Sequence, residues 1–323
     1  MKEIKVEDAV GQILCHDVTE IVRGVTKGAK FRKGHVITAE DIPELLKLGK
    51  ENIFVWENDK TKLHENDAAE ILKNICQGEN LTASEVKEGK IELAATCDGV
   101  FCVDAEKLNA VNDVSEICIA TLPNRIPVRK NKTVAGMRVI PLVIDKEKMQ
   151  QVQKIAGAAP LMKIAPYKNF KVGLIVTGSE IFHGRINDTF TPVIESKLKS
   201  FGLEILERRI SDDSKEMTKN FIDELLNLGM EMIICTGGMS IDPDDRTPAA
   251  IRDSGAEIVT YGVPVLPGAM FMLAYKNKIP IMGLPGCVMY CAKTIFDIVL
   301  PRILTGEILK RQDFTKLGVG GLL

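Results

Sequence analysis

The C-terminal half of the chain predicts an α/β domain whose mostly parallel sheet is covered by helices on both faces. From residue 171 onward, short β-rich apolar runs alternate with segments that carry apolar residues at helical spacing, the pattern of successive strand–helix units. Gly202 and Gly229 each end such a helical segment before the next strand, as glycine does at helix C termini. The residues before this alternation predict a smaller α+β region, so we expect domains at 1–165 and 166–323.

The alternation places the elements of the second domain. Asp213 and Ser214 precede its second helix and could cap it. Gly157, Pro160 and Pro166 make residues 155–171 a predicted linker before it. Strands are expected at 172–176, 203–209, 231–235, 258–260, 271–275 and 279–282, and helices at 191–201, 215–228, 249–254 and 289–300.

The first domain gives a weaker pattern of short apolar runs and turns. Its residues indicate no chemistry of their own. Helices are expected at 41–48 and 65–77, and strands at 52–56, 91–93, 100–103, 117–121 and 139–144.

Composition narrows the possible functions. The 323 residues carry a formal net charge of −2 and only 5% aromatic side chains, which argues against a nucleic-acid-binding protein. The N terminus has no apolar leader, and no apolar run approaches the roughly 18 residues of a membrane span, so we expect a cytoplasmic protein. The eight cysteines contain no Cys-x-x-Cys pair, which favours reduced thiols over a zinc site.

A glycine-rich acidic loop, residues 236–248, is the most informative motif. It follows the apolar run 232–235 and leads into a helix. Its glycines would let a ligand approach the backbone, and amides at a helix start favour an anion. A hard cation such as Mg²⁺ would be needed between that anion and the carboxylates of Asp242, Asp244 and Asp245. An ordinary glycine turn followed by a capped helix is the alternative.

Three predicted loops follow strands of the second domain. They cover residues 177–180, 236–245 and 283–286. In open α/β sheets, ligands bind beyond the carboxyl ends of the strands. We therefore expect these loops to lie along one rim.

Five fragments carry a family resemblance. They lie in order over about residues 171–304 and comprise Val176–Ile181, Gly184–Thr189, Asp212–Asp213, Thr236–Ser240 with Asp245–Pro248, and Gly283–Gly286. Together they resemble the molybdopterin-binding domain of molybdenum-cofactor biosynthesis proteins, closest in type to molybdopterin molybdotransferases. Residues 9–18 and 34–55 are also similar to stretches of those transferases, although the second lies over a hundred residues earlier here.

The resemblance implies both a fold and an activity. The fold is a three-layer α/β/α domain that binds molybdopterin, in adenylylated form. The activity is a transferase step of molybdenum-cofactor biosynthesis that inserts molybdate, uses Mg²⁺ and releases AMP. It also implies a homo-oligomer and a molybdoenzyme that accepts the product, with neither nucleic acid nor membrane as a partner.

Roles follow where residues match the family pattern. Glu180 and Asp245 are the expected catalytic residues, and both, with Asp242, are expected metal ligands. Ser240 fits a helix or turn cap equally well, and Asp212 and Asp213 fit helix capping equally well. The expected ligand-binding residues are Thr177, Gly178, Ser179, Asp212, Asp213, Thr236, Gly237, Gly238, Ser240, Thr247, Pro285 and Gly286.

Departures from the transferase pattern leave alternatives open. Phe190 and Cys287 stand where the family commonly has asparagine, and Ala269 where it has lysine. A cation beside a transferring anion raises the reaction rate by orders of magnitude. Loss of the lysine is therefore expected to weaken catalysis more than binding. The alternative to a transferase is a noncatalytic carrier or sensor of the cofactor. A third hypothesis is a relative that cleaves nucleotide pyrophosphates.

Overall fold

The computed structural model describes residues 2–22, 26–55, 59, 61–240 and 245–322. The chain divides into two compact units, Met1–Ile164 and Ala165–Leu323. Within the described ranges, none of the helices has the length and apolar character that crossing a membrane requires.

The first unit is an α+β assembly of small sheets. One apolar core lies within residues 6–55 and a larger one within residues 68–164. Four strands form the largest sheet, in the order β6-β7-β11-β9. The elements are β1 (Lys2–Lys5), β2 (Val18–Val22), β3 (Thr26–Phe31), α1 (Asp41–Lys47), β4 (Asn52–Val55), β5 (Lys62–His64), α2 (Glu65–Cys76), β6 (Leu81–Ala83), β7 (Ile91–Ala95), β8 (Gly99–Val103), α3 (Ala105–Asn112), β9 (Ile117–Thr121), β10 (Pro127–Val128), β11 (Thr133–Val139), β12 (Val143–Asp145), α4 (Lys146–Ala156) and β13 (Met162–Pro166).

A buried histidine joins two parts of this unit. The Nδ1 atom of His64 accepts a hydrogen bond from the Asn66 amide at 3.1 Å and so caps α2. Its Nε2 atom lies 2.9 Å from the carbonyl oxygen of Cys15, to which it donates. The bond that Nδ1 accepts requires the neutral ring, since both ring nitrogens carry protons in the charged form. Burial lowers the pKa of His64 from its ordinary value.

The second unit contains one six-stranded sheet in the order β15-β14-β16-β19-β18-β17. Strands β15, β14, β16 and β19 are mutually parallel, and β18 runs antiparallel to both of its neighbours. The elements are β14 (Val172–Thr177), α5 (Ser179–Phe182), α6 (Phe190–Lys199), β15 (Ile205–Ser211), α7 (Lys215–Asn227), β16 (Met232–Thr236), α8 (Thr247–Asp253), β17 (Glu257–Tyr261), β18 (Met272–Lys276), β19 (Ile279–Leu284), α9 (Ile295–Leu304) and α10 (Arg311–Thr315).

Helices cover both faces of this sheet. On one face α6 and α9 pack against β14, β16 and β19 through an apolar cluster that includes Ile194 and Phe296. On the other face α7 and α8 contribute Ile222 and Ile251 to a second cluster. Because apolar side chains alternate between these faces along each strand, the central strands are buried throughout. The predicted three-layer α/β fold with a mostly parallel sheet is confirmed.

Several boundary predictions were wrong. The expected linker at 155–171 holds the end of α4 and all of β13, which pairs with β8. The run 139–144 is divided between β11 and β12 around Pro141, since proline donates no ladder hydrogen bond. The predicted strand 52–56 is described as far as Val55, and its predicted end at Trp56 lies outside the described residues.

The last long helix begins later than its apolar pattern predicts. Residues 286–289 form a 3₁₀ turn, and α9 begins only at Ile295. A capping box explains the start, since the Thr294 hydroxyl accepts from the Phe296 amide and the Asp297 carboxylate accepts from the Thr294 amide. The residues of α9 from Val299 to Leu304 are all buried. This packing allows the helix to continue past Pro301 to Leu304.

Acid should destabilise the first unit through His64. A histidine whose folded pKa is lowered contributes stability above its unfolded pKa of about 6.5 and loses it as the pH falls toward the folded value. We expect the urea midpoint of the wild type to fall between about pH 7.5 and about pH 5.5, and that of His64→Gln to change less. Urea unfolding followed by circular dichroism measures these midpoints.

The carboxyl group of Glu65, next to His64, also contributes to the pH dependence, so the measurement needs a control. Burial raises the pKa of Glu65, so its contribution decreases as the pH rises and has the opposite sign. Only the difference between wild type and His64→Gln therefore isolates the imidazole. Equal pH dependence in the two proteins would contradict the assignment.

Candidate functional site

Loops from three positions meet around one cavity beyond the carboxyl ends of β16 and β19. It has a volume of about 410 Å³. The glycine-rich loop, the segment before β18 and the turn after β19 all contribute to its lining. The lining residues are Gly237, Gly238, Met239, Ser240, Asp245, Ala269, Met270, Pro285, Gly286 and Cys287.

The glycine pair allows β14 and β16 to end in close contact. Gly237 and Gly238 have φ values of +82° and +56°, which glycine adopts without strain. A β-carbon at Gly237 would lie 2.4 Å from the carbonyl oxygen of Thr177, and one at Gly238 would lie 2.8 Å from the Thr247 hydroxyl. Neither position therefore has room for a side chain.

Two threonine hydroxyls stabilise the contact between the ends of β14 and β16. Thr177 Oγ1 donates to the carbonyl oxygen of Thr236 at 3.0 Å, and Thr247 Oγ1 donates to that of Gly237 at 2.9 Å. Thr177 and Thr247, both expected to bind ligand, are almost completely buried. In the structure, the side chains of both residues stabilise the conformation of the loop.

The next three residues carry uncommitted backbone amides. Within the ranges that the structure describes, no group accepts a hydrogen bond from the amides of Gly238, Met239 or Ser240. Successive backbone amides in a turn make a concave binding site for an anion. The helix that follows, α8, has only seven residues, so the loop rather than the helix supplies the donors.

Met239 is held on two sides. Its carbonyl oxygen accepts a hydrogen bond from the Tyr261 hydroxyl at 3.1 Å. Its thioether packs against Gly283, where a β-carbon would lie 2.6 Å from the sulfur. Tyr261 was missed by sequence reasoning, because nothing in the pattern of β17 links it to the loop.

The hydroxyl of Thr236 is an exception to the usual satisfaction of buried polar groups. Thr236 is completely buried, and among the described residues its Oγ1 atom has no hydrogen-bond partner. Buried hydroxyls are nearly always paired. Thr236 is not among the cavity-lining residues.

The turn after β14 is tied to the loop after β15. The expected turn at 177–180 includes the start of α5, and the Ser179 amide donates to the Asp213 carboxylate at 3.0 Å. The Gly178 amide donates to the carbonyl oxygen of Ser211 at 3.1 Å. Asp212 accepts from the Ser214 amide at 2.8 Å. These predicted ligand-binding groups thus have partners within the protein.

The predicted acidic residues occupy different places. Asp245 lines the cavity, and its charge adds to burial in raising the pKa of Tyr261. Glu180 is exposed on α5 and does not line it. Asp242 lies outside the described residues, as does Asp244. In the described ranges, histidine, cysteine and acidic side chains form no group of three suited to a metal.

Both family departures near the end of the chain fall in the cavity wall. Ala269 and Cys287 line the cavity, and burial raises the pKa of the Cys287 thiol. Among the described lining residues, none is a lysine or an arginine. Asp245 is thus the one described charge in the wall.

Comparisons with known proteins find similar sequences and similar domains. Residues 173–305 match the family model described as a probable molybdopterin binding domain, and residues 3–57 match a domain of unknown function, DUF8806. The predicted resemblance to the molybdopterin-binding domain is confirmed over residues 173–305.

The similar proteins are distant. Molybdopterin molybdenumtransferase of Staphylococcus epidermidis is 24% identical over 170 residues, which cover 45% of this chain and 40% of that protein. Molybdenum cofactor synthesis protein cinnamon of Drosophila melanogaster is 28% identical over 140 residues, covering 41% and 23% respectively. The chain thus spans two fifths or less of these relatives. The structure of the molybdopterin biosynthesis enzyme MoaB from Thermus thermophilus has a TM-score of 0.35 and 21% identity, covering 44% of this chain and 99% of that one.

Filling the contact between β14 and β16 should destabilise the second unit. In Gly237→Ala the new methyl group would meet the Thr177 carbonyl oxygen at a strained φ, so we expect a loss of about 3 kcal/mol in the free energy of unfolding. Gly255→Ala is the matched control, since Gly255 has φ +81° with open space around it, and should cost about 1 kcal/mol. Urea unfolding followed by circular dichroism measures both. Equal losses would refute the close-contact argument.

Proposed function

We propose that the second unit binds molybdopterin, in adenylylated form, and inserts molybdate with release of AMP. The observation that carries this proposal is the cavity between three loops, at which the amides of Gly238, Met239 and Ser240 have no hydrogen-bond acceptor among the described residues. Those amides are suited to a terminal phosphate. The family description of residues 173–305 and the names of the relatives support molybdopterin as the phosphorylated ligand.

The residues divide into two groups by role. The amides of residues 238–240 and the exposed Ser240 hydroxyl hold the phosphate, with Pro285 and Gly286 as the facing wall. Thr177, Gly237 and Thr247 keep the loop in its bound shape through their mutual contacts. Asp213, by accepting from Ser179, fixes the turn that presents Glu180.

The charges suit a divalent cation. Mg²⁺ is commonly held by one or two carboxylates together with substrate phosphates, and Asp245 provides such a carboxylate in the wall. Asp245 and Asp242 would hold the ion, and Glu180 would approach it or orient water. When bound, Mg²⁺ would neutralise phosphate charge that no described cation in the wall balances.

A second candidate function is noncatalytic binding, as a carrier or sensor of the cofactor. The wall carries Ala269 and Cys287 and no described lysine or arginine. Because a cation is often what stabilises a transferring anion, this favours binding without turnover. For both candidates we propose a homo-oligomer in the cytoplasm, and a transferase or a carrier would pass the cofactor to a molybdoenzyme.

AMP release separates the two candidates. With adenylylated molybdopterin, Mg²⁺ and molybdate, we expect AMP release that depends on molybdate. Asp245→Asn should lower the rate about a hundred-fold or more, because it removes a carboxylate that is proposed to hold Mg²⁺ at the phosphate. Asp253→Asn is the matched control, since Asp253 pairs with Lys215 outside the cavity.

The outcomes are distinct. Release lost in Asp245→Asn and kept in Asp253→Asn supports the transferase. Binding of the substrate without release in the wild type supports the carrier or sensor. Release that is equally fast without molybdate would instead indicate pyrophosphate cleavage and contradict both.

A further inference from the structure

Each of the three amides at the cavity follows a carbonyl group that is held in place. The Gly237 carbonyl oxygen accepts from the Thr247 hydroxyl at 2.9 Å. The Gly238 carbonyl oxygen accepts from the Thr247 amide at 3.2 Å. The Met239 carbonyl oxygen accepts from the Tyr261 hydroxyl at 3.1 Å. Each peptide unit that carries one of the three amides is therefore anchored at its oxygen.

A bond to a carbonyl oxygen also sets the direction of the amide that follows it. In a planar trans peptide unit, the carbonyl and the N–H group point in opposite directions. The bond from Tyr261 therefore directs the Ser240 N–H away from the tyrosine. The two bonds from Thr247 act in the same way on the N–H groups of Gly238 and Met239. All three of these amides belong to residues that line the cavity, and no described group accepts a hydrogen bond from them.

Tyr261 is the anchor that comes from outside the loop and its helix. It is the last residue of β17 and lies 22 residues after Met239. Two hydrogen bonds fix the backbone at this strand end. The Gly262 amide donates to the carbonyl oxygen of Phe271 at 2.9 Å, and the Thr260 hydroxyl donates to that of Gly262 at 2.8 Å. The tyrosine hydroxyl is thus presented from a fixed position.

The side chain of Met239 restrains the same peptide unit from its other side. Met239 is only 3% exposed, and its thioether packs against Gly283. With both its side chain and its carbonyl oxygen held, the peptide unit that leads to Ser240 has little freedom to turn. A site whose donors are already oriented needs less ordering when an anion binds.

The hydroxyl of Tyr261 is suited to a lasting role as a donor. Burial raises the pKa of Tyr261, and the charge of Asp245 adds to this effect, so the hydroxyl remains protonated at neutral pH. Tyr261 is not among the residues that line the cavity. It can therefore affect a ligand there only through the residues that it holds.

We propose that Tyr261 is a positioning residue that aims the Ser240 amide at the bound phosphate by holding the Met239 carbonyl. This inference rests on the proposed function for the location of the phosphate. Loss of the tyrosine hydroxyl frees the Met239–Ser240 peptide unit to turn, and the phosphate then loses one aligned donor.

Binding of pyrophosphate with Mg²⁺, measured by calorimetry, tests the role of the hydroxyl. Tyr261→Phe removes only that group and should weaken binding about five-fold, the effect of one hydrogen bond. Tyr275→Phe is the matched control. Tyr275 lies on the neighbouring strand β18, and its hydroxyl accepts from the Leu309 amide at 3.1 Å, outside the cavity lining. This variant should bind pyrophosphate as the wild type does.

A resonance of the peptide unit itself separates positioning from general stabilisation. Met239–Ser240 is the one Met-Ser pair in the sequence, so labelling with ¹³C-carbonyl methionine and ¹⁵N-serine gives a single correlated signal. In Tyr261→Phe its carbonyl shift should change before any ligand is added, whereas Tyr275→Phe should leave it in place. A purely structural role would lower the urea midpoint without changing either this signal or the pyrophosphate affinity of the folded protein.

The outcomes distinguish this inference from the proposed function. Weaker binding and a moved signal in Tyr261→Phe, with neither in Tyr275→Phe, would support the positioning role. Wild-type affinity in Tyr261→Phe, an unchanged signal, or an equal loss of binding in Tyr275→Phe would overturn it and leave the phosphate site standing. If the wild type does not bind pyrophosphate, the phosphate site fails and the positioning role fails with it.

Discussion

The bare α-carbon of Gly237 determines how the second unit presents its loops. With no side chain at this position, the ends of β14 and β16 approach until Gly237 contacts the Thr177 carbonyl oxygen. Hydrogen bonds from the Thr177 and Thr247 hydroxyls then close the junction. The amides of the next three residues lie at the cavity, and no described group accepts a hydrogen bond from them. The site geometry thus depends on backbone packing that the central, fully buried strands make rigid.

Charge is distributed unusually in the wall of the cavity. Asp245 is negative, and the described lining has no cation to balance it. An anion in this cavity would meet favourable amide dipoles and one unfavourable carboxylate. Binding free energy must therefore come from the amides, from a metal ion at the carboxylate and from apolar contacts of the remaining ligand.

The sequence predicts much of the second unit because its strands are short and bounded by glycine or polar turns. Val172–Thr177 and Met232–Thr236 stand out as apolar runs, since buried parallel strands need no polar alternation. Gly237 and Gly238 were predicted for the approach of a ligand, and the structure adds a packing reason for both. The start of α9 was missed because apolar periodicity outweighed the local capping signal at Thr294.

Long-range pairs could not be predicted from spacing. Asp213 lies beside a helix start and fits a cap, yet its carboxylate accepts from Ser179, 34 residues away. Tyr261 reaches Met239 only because β17 ends beside the loop. In the first unit, His64 joins Cys15 across 49 residues. Each of these contacts depends on strand order, which periodicity does not reveal.

The central claim is that the phosphorylated ligand binds in the cavity of the second unit. Methyl resonances of ¹³C-methionine-labelled protein test it directly, since Met239 and Met270 line that cavity and Met149 is buried in the first unit. On addition of adenylylated molybdopterin with Mg²⁺, the account predicts saturable shifts at Met239 and Met270 and none at Met149. Saturable shifts at Met149 with both cavity methyls unchanged would contradict it.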